Sequence, residues 1–299
     1  MKLAAIIVLY NPESLGIYNL IRNISSYSSR CERIFLIDNS LNDNSYLLKY
    51  FNNATYLSNK NLNGIAGAQN LGCSKAIEDG FEWVITMDQD SIFEYNELDK
   101  YLSTSDKIIH NKDIKSITLN INQLFSKLPF HKYIQFNILS PLKRKLLKNK
   151  WSPRPVPEFT FVRKCIASGN IINLNAWKIA GGFDETLFID EVDYDFCYKL
   201  TKCGYKIAKI ENSSLIHPLG EKHFSILPRT LPYHNDFRMY YIFRNHFIMM
   251  SRYKNLKKEY TKTLLRWIYN SCINTIHPIK HLKILIKAHR DYLKYQENY

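Results

Sequence analysis

No stretch of the 299-residue sequence approaches the ~18 apolar residues that a membrane-spanning helix needs. The opening MKLAAIIVLYNPES holds a short apolar run and then an Asn-Pro turn, so it reads as a first buried strand, not as a signal peptide. The cysteines Cys31, Cys73, Cys165, Cys197, Cys203 and Cys272 make no C-x-x-C pair and no Cys/His metal spacing. That excludes a zinc module or a disulfide framework and predicts reduced, mostly buried thiols in the cytoplasm. Internal repeats and low-complexity tracts are also missing. Acidic residues are in short supply, 27 against 41 Lys and Arg, a net charge of +14.

The imbalance is uneven. Residues 1–100 carry 8 basic and 12 acidic side chains, whereas residues 236–299 carry 13 and 4. The front is therefore the acidic part, and the basic remainder must face something anionic: nucleic acid, phosphorylated substrate or lipid. An apolar fraction of 45% with 23% charge is that of a folded chain, and 21 tyrosines suit a surface that meets sugars, bases or a membrane interface.

The first hundred residues alternate between strand and helix patterns. Strands are expected at 3–10, 33–38, 54–58 and 82–88. Helices are expected at 14–27 with Ser14 as N-cap, at 44–51, and at 65–80 closed by Gly80. This order predicts an α/β fold with a doubly wound, mostly parallel sheet, whose ligands bind at the carboxyl ends of the strands. Tyr10, Asp38, Asn39 and the pair Asp88/Asp90 all fall at such ends. A further strand is expected at 114–120, then a basic, proline-rich irregular connection up to about 157. A helix follows over 192–203, then two short strands, 205–210 and 213–218, the last ending near His217. From Asp236 the chain is expected to be largely helical.

The stretch VITMDQDS (84–91) leaves a strand with two carboxylates side by side. Like charges so placed repel unless a cation lies between them. A divalent metal with a diphosphate ligand fits, because Mg²⁺ or Mn²⁺ takes one or two carboxylates and leaves room for phosphate oxygens. Phosphotransferases of the haloacid-dehalogenase type carry a similar D-x-D, but after their first strand; here three strand–helix units precede it. NLNGIAGAQNLG (61–72) places Gly64, Gly67 and Asn70 at a helix start, where amides could meet a phosphate or where small residues simply pack closely. It is not G-x-G-x-x-G, which argues against a dinucleotide fold. FIDEVDYDF gathers Asp190, Glu191, Asp193 and Asp195 at a helix start. Crowding among apolar neighbours predicts a raised pKa and a candidate general base.

Together VLYNP, IDNS, NLNGIAGAQNLG, MDQDS, SGNIIN, GGFDETLFIDEVDYDFCYKL, LIHPLG and FRMYYIFRN occur in the order seen in family-2 glycosyltransferases, and over residues 3–250 the chain most resembles their bacterial rhamnosyltransferase branch, which builds O-antigen and capsule. The resemblance implies a GT-A fold over 1–235. The basic helical region over 236–299 mixes aromatic and aliphatic side chains with Lys and Arg at helical intervals, which suits either a peripheral, interfacial contact with the inner face of the cytoplasmic membrane or ordinary packing on the catalytic domain. The resemblance implies an inverting, metal-dependent transfer of a sugar, rhamnose from dTDP-rhamnose foremost, with UDP-hexose or UDP-galactofuranose as alternative donors. It also implies a saccharide on polyprenyl diphosphate as acceptor. Tyr10, Asp38, Asn39, Asn63, Gly64, Asn70, Asp88 and Arg244 would hold the nucleotide sugar. Asp88, Asp90 and His217 would hold Mg²⁺ or Mn²⁺. Many relatives read Glu-Asp where this chain has Val192-Asp193, so the base falls to Asp193, with Asp195 and Asp190 in reserve. A non-catalytic scaffold would gain nothing from keeping these acids. Nucleic acid is not an expected partner, since no groove-reading motif accompanies the charge.

Overall fold

A computed structural model describes residues 1–124, 157–218, 234–273, 275 and 277–297. The expected irregular connection after 120 falls mostly outside them. The alternation of the first hundred residues becomes β1 (Leu3–Leu9), α1 (Ile17–Ser28), β2 (Arg33–Asp38), β3 (Ala54–Ser58), α2 (Gly64–Glu78), β4 (Trp83–Asp88) and α3 (Glu97–Ile108). Next come β5 (Ile114–Leu124), β6 (Phe159–Val162), β7 (Asn170–Asn173), α4 (Leu174–Ile179), α5 (Val192–Lys202) and β8 (Lys206–Pro218). The chain then continues as α6 (Asp236–Arg252), α7 (Lys257–Ile268) and α8 (Pro278–Glu297).

The eight strands form one sheet in the order β3-β2-β1-β4-β7-β5-β8-β6. The pairs β3–β2, β2–β1, β1–β4 and β5–β8 are parallel, while β7 and β6 run against their neighbours. Both faces are covered, so the inner strands read as unbroken apolar runs. In β1, Leu3, Ala5, Ile7 and Leu9 enter the core shared with α1 and α3. Ala4, Ile6 and Val8 enter the opposite core, shared with α2, α4 and α5. The small-residue face of α2 lets it approach closely: a Cβ on Gly72 would stand 2.5 Å from the Ile6 side chain.

Three local expectations need correction. Ser14 does not cap α1. Pro12 starts a 3₁₀ turn over Pro12–Leu15, Ser14 Oγ donates to the Asn11 carbonyl, and α1 begins only after Gly16 at φ 81°. The stretch 44–51 makes a 3₁₀ segment, Ser45–Tyr50, instead of an α-helix. The two short strands expected at 205–210 and 213–218 are one strand, β8, whose register against β5 slips between Leu119 and Asn120.

The C-terminal helices pack among themselves through Met239, Phe243, Leu264, Trp267 and Ala288. They also join the layers around the sheet. Ile248 of α6 lies in the α2–α5 core, with Tyr292 and Tyr295 of α8 against it.

Candidate functional site

Register brings the strand ends together. Leu9 pairs with Asp38 and Val8 with Asp88, so β1, β2 and β4 end on one rim. Gln89 ties two of these ends: its side chain accepts from the Tyr10 amide at 2.9 Å and donates to the Tyr10 carbonyl at 3.0 Å. The glutamine between the two aspartates is thus a clamp, and Tyr10 itself is 55% exposed beside it.

Just past β4, Ile92 exchanges two backbone hydrogen bonds with Ile216 near the end of β8. This bridge carries His217 to the aspartates. His217 Nδ1 lies 3.8 Å from Asp88 Oδ2 and 3.5 Å from Asp90 Oδ1, and it shares a 2.8 Å hydrogen bond with Ser91 Oγ. Three ligand atoms of these side chains lie within 4.8 Å of one another. Burial and the neighbouring Asp88 push the Asp90 carboxyl up to about 6. Asp90 Oδ1 is buried with no hydrogen-bond partner. Two hard carboxylates and an imidazole, one oxygen left orphaned, fit a divalent cation.

A second acid stands close by. Asp193, in the first turn of α5, has one oxygen held by the Ala167 amide at 3.2 Å and the other by the Tyr194 amide at 2.9 Å. The next residue, Ser168, receives the Asp88 amide at 3.2 Å and donates to Ser91 Oγ at 2.6 Å. Consecutive residues of one loop therefore tie Asp193 to the Asp88–Asp90–His217 group. Burial, and after it Glu191, raise the Asp193 carboxyl to about 7. Glu191 is raised to about 7 as well, chiefly by burial, with the Tyr260 hydroxyl donating to it at 2.7 Å.

The loop that delivers these acids is strained. Phe188, Asp190 and Glu191 have φ of 64°, 62° and 65°, each costing about 1–3 kcal/mol for residues with a Cβ. Neighbours hold it there. Asn245 of α6, fully buried, donates to the carbonyls of Leu187, Ile189 and Asp190 at 2.9, 2.8 and 2.9 Å. The Ile65 amide donates to the Phe188 carbonyl at 2.8 Å, and Gly64 is obligatory there, because a Cβ on it would stand 2.3 Å from that oxygen.

Several of the expected site residues are engaged by protein partners. Asp195 is fully buried, with one oxygen bonded by Arg252 at 2.6 Å and the Tyr253 hydroxyl at 2.7 Å and the other without a hydrogen-bond partner. Asp190 is held bidentately by Arg238, with contacts of 2.9–3.2 Å. Asp38 is fully buried and already accepts from the Ser40 amide, Asn44 and the Tyr56 hydroxyl at 2.8, 2.8 and 2.7 Å. Asn39 donates to the Gly64 carbonyl and accepts from Asn59. Asn70 brackets Phe183 through its amide and carbonyl, and both Asn63 and Asn70 bond Glu185. Gly64 and Gly67 serve close packing, with their amides taken by the Asn61 and Asn63 carbonyls, so the start of α2 does not present them to a phosphate. Arg244 donates to the Thr186 and Leu187 carbonyls and stacks on Tyr241 at 4.8 Å.

Sequence reading missed Gln89, Ser91, Ser168, Asn245 and Arg238. Each acts across a long sequence gap, and only SGNIIN and FRMYYIFRN hinted at the last three. Arg238 is the cation of this site. Besides Asp190, it interacts electrostatically with Asp88, Asp90 and Asp193.

Residues 4–142 match the family model described as Glycosyl transferase family 2. Across 301 aligned residues, 99% of this chain and 92% of the relative, the sequence is 26% identical to dTDP-rhamnosyl transferase RfbF of Shigella flexneri. Among solved structures, S. aureus TarS 1–349 in complex with UDP-GlcNAc superposes with a TM-score of 0.57 at 13% identity, over 98% of this chain and 81% of that one. GalNAc-T7 with UDP, GalNAc and Mn²⁺ superposes with a TM-score of 0.54 at 15% identity, over 87% of this chain and 54% of that one. The chain thus spans about half the length of the GalNAc-T7 structure. These likenesses give the sheet and its helices the GT-A fold.

Proposed function

We propose that the chain is a glycosyltransferase that inverts the anomeric centre of a nucleotide-bound sugar, rhamnose from dTDP-rhamnose foremost, as it moves that sugar to an acceptor hydroxyl. The observation that carries the donor is the near full-length likeness to a dTDP-rhamnosyl transferase. The acceptor we propose is a saccharide on polyprenyl diphosphate at the inner face of the cytoplasmic membrane, in O-antigen or capsule synthesis. Residues 1–235 form the catalytic unit in this reading, and 236–299 support it from behind the acid loop.

Asp193 is the base. Its oxygens are fixed by two backbone amides, and a carboxyl raised to about 7 can accept a proton near neutrality. The acceptor O–H gives its proton to Asp193, and the acceptor oxygen bonds to the anomeric carbon. The bond from that carbon to the diphosphate oxygen breaks on the opposite face, its electron pair leaving with the nucleoside diphosphate. Asp88, Asp90 and His217 would hold Mg²⁺ or Mn²⁺, which supplies positive charge to the leaving diphosphate. Arg238, held toward the same acids by Asp190, adds a planar, permanently charged donor there. Tyr10 offers an exposed ring at the rim for the nucleoside.

The test is turnover of purified protein on a panel of dTDP-rhamnose, UDP-hexoses and UDP-galactofuranose, each with Mn²⁺, Mg²⁺ or chelator. Hydrolysis or transfer restricted to dTDP-rhamnose and lost on chelation supports the reading. A UDP-sugar as preferred donor overturns the rhamnose assignment, and full turnover in chelator overturns the metal.

A further inference from the structure

The last helix, α8, is amphipathic in three sectors, not two. His281 and Ala288 are buried, and Ile284, Leu285, Tyr292 and Tyr295 pack against the rest of the chain. At about 100° per residue these six share one arc of roughly 100°. On the far side Ile279, Leu282, Ile286 and Leu293 are 71%, 47%, 52% and 44% exposed. They fall within an arc of about 60°, and Lys280, Lys283, Lys287, Arg290 and Lys294 occupy the adjoining ~80°. A helix that needed only to pack on its own protein would place polar residues along that outer stripe.

We infer that this outer face of α8 is the surface by which the protein lies on an anionic lipid leaflet, the apolar stripe entering the headgroup–acyl boundary and the neighbouring cations meeting lipid phosphates. The inference rests on the membrane-held acceptor proposed above and names the face that would meet the membrane. Charge decides between lipid and a second copy of the chain. Within α8 the only acids are Asp291, which accepts from the Tyr240 hydroxyl at 2.7 Å, and Glu297. Lys280 already pairs with Asp236, but two such helices laid stripe to stripe would still bring Lys283, Lys287 and Arg290 of both copies together with few acids to answer them, whereas anionic headgroups complement the sector. Long lysine and arginine stems can lie along apolar material while their charged ends stay in water, which suits cations bordering an inserted stripe. The same C-terminal region carries a second basic surface, a shallow depression of about 580 Å³ lined by Lys254, Lys257, Lys258, Lys262 and Leu265. No helix among the described residues is long and apolar enough to cross a membrane, so contact through α8 would be interfacial.

Removing the helices is a poor test, because the Tyr295 hydroxyl accepts from Arg252, which also donates to Asp195. Point variants of the full chain avoid that: Ile279→Ser with Ile286→Ser, and separately Lys283→Glu with Arg290→Glu. Flotation uses vesicles of phosphatidylcholine alone or with phosphatidylglycerol. The unmodified protein should float only with the anionic vesicles, and binding should drop severalfold between about 50 mM and about 300 mM salt as the Debye length shortens. Each double variant should bind at least about tenfold more weakly, with its melting temperature and vesicle-free donor hydrolysis unchanged. Equal flotation with neutral vesicles, or full binding by both variants, overturns the proposal. So does a dimer in sedimentation equilibrium that Ile279→Ser with Ile286→Ser dissociates, since a second copy would then own the stripe. Anionic binding that persists in a preparation without donor turnover supports this face and counts against the catalytic reading instead.

Discussion

The rim at the ends of β1 and β2 and the acid loop before α5 are both crowded with side-chain oxygen, and they spend it differently. On the rim, Asp38 receives three protein donors, and Asn39, Asn63 and Asn70 are each taken up by backbone or by neighbouring side chains. In the acid loop and at the end of β4 the carboxyl groups are buried: Asp90 has an orphaned oxygen, and burial raises Asp193 and Glu191 to about 7 although both accept hydrogen bonds. A saturated carboxylate holds a loop in place. A buried one raised toward neutrality can take up a proton, and keeping it ionised there costs stability. In the proposed reading the two regions divide the labour, one setting the shape of the rim and the other holding the reactive groups.

The sharpest way to break this contrast is Asp193→Asn. If Asp193 is the base, turnover should fall about 10²- to 10⁴-fold while nucleotide-sugar affinity, read by calorimetry, changes little. Turnover of the unmodified enzyme should also decline as pH drops below about 7, where Asp193 takes up its proton. If Asp190→Asn shows this pattern and Asp193→Asn stays active, the base lies one turn earlier.

Asp195 is the control in the same helix. Its partner Arg252 also holds Asp184 at 2.6 Å and the Tyr295 hydroxyl at 2.7 Å, welding α5, α6 and α8 together. Asp195→Asn should cost about 2–3 kcal/mol in chemical denaturation, because Arg252, though still paired with Asp184, loses one of its two carboxylates and the Tyr253 hydroxyl loses a charged acceptor. Turnover per folded molecule should survive. A stable Asp195→Asn variant without activity would put the chemistry in the wrong carboxylate.

Asp38→Asn tests the saturated side. Losing the charged acceptor of three hydrogen bonds should destabilise by about 1–3 kcal/mol, less than Asp195→Asn because no cation loses a carboxylate. Donor affinity of the folded fraction should hold; a selective loss of nucleotide affinity with normal stability would make Asp38 a ligand after all.

Much of this was legible in the residues. Short apolar runs and the strand–helix order placed β1 to β4, and the D-x-D after a strand marked Asp88 and Asp90, since those signals are local. His217 was visible only as a histidine near a strand end; the bridge from Ile92 to Ile216 that seats it by the aspartates spans 124 residues of chain. Occupancy was not legible at all. Asp38 and Asp90 look alike in sequence, each an aspartate at a strand end, and only packing shows that Asn44 and Tyr56 satisfy one while the other keeps a bare oxygen. The same holds for Asp193 and Asp195, two residues apart on one helix: the 100° step of the helix turns one to Ala167 and the other to Arg252. Asn245 and Arg238 escaped notice for a like reason, since each acts on a loop about fifty residues upstream.

The smallest effect follows from the cost of keeping Asp193 ionised in a buried place. Its carboxyl sits at about 7 in the folded protein against 3.8 for the ordinary side chain. The folded state therefore holds a proton that the unfolded chain has released, and stability attributable to this group is present at low pH and lost as pH rises from about 4 to about 7. Glu191, raised beside it, has the same sign. Asp193→Asn removes the charge that the buried site resists, so the variant that loses turnover should be the more stable protein at pH 8, by about 1 kcal/mol or more. The gain should shrink toward zero near pH 4, where the native carboxyl is protonated in the parent as well. Thermal melts of parent and variant across that range decide it. A gain that is constant with pH would mean that the asparagine merely packs better, and a loss at pH 8 would mean that the carboxylate is satisfied in place, as Asp38 is.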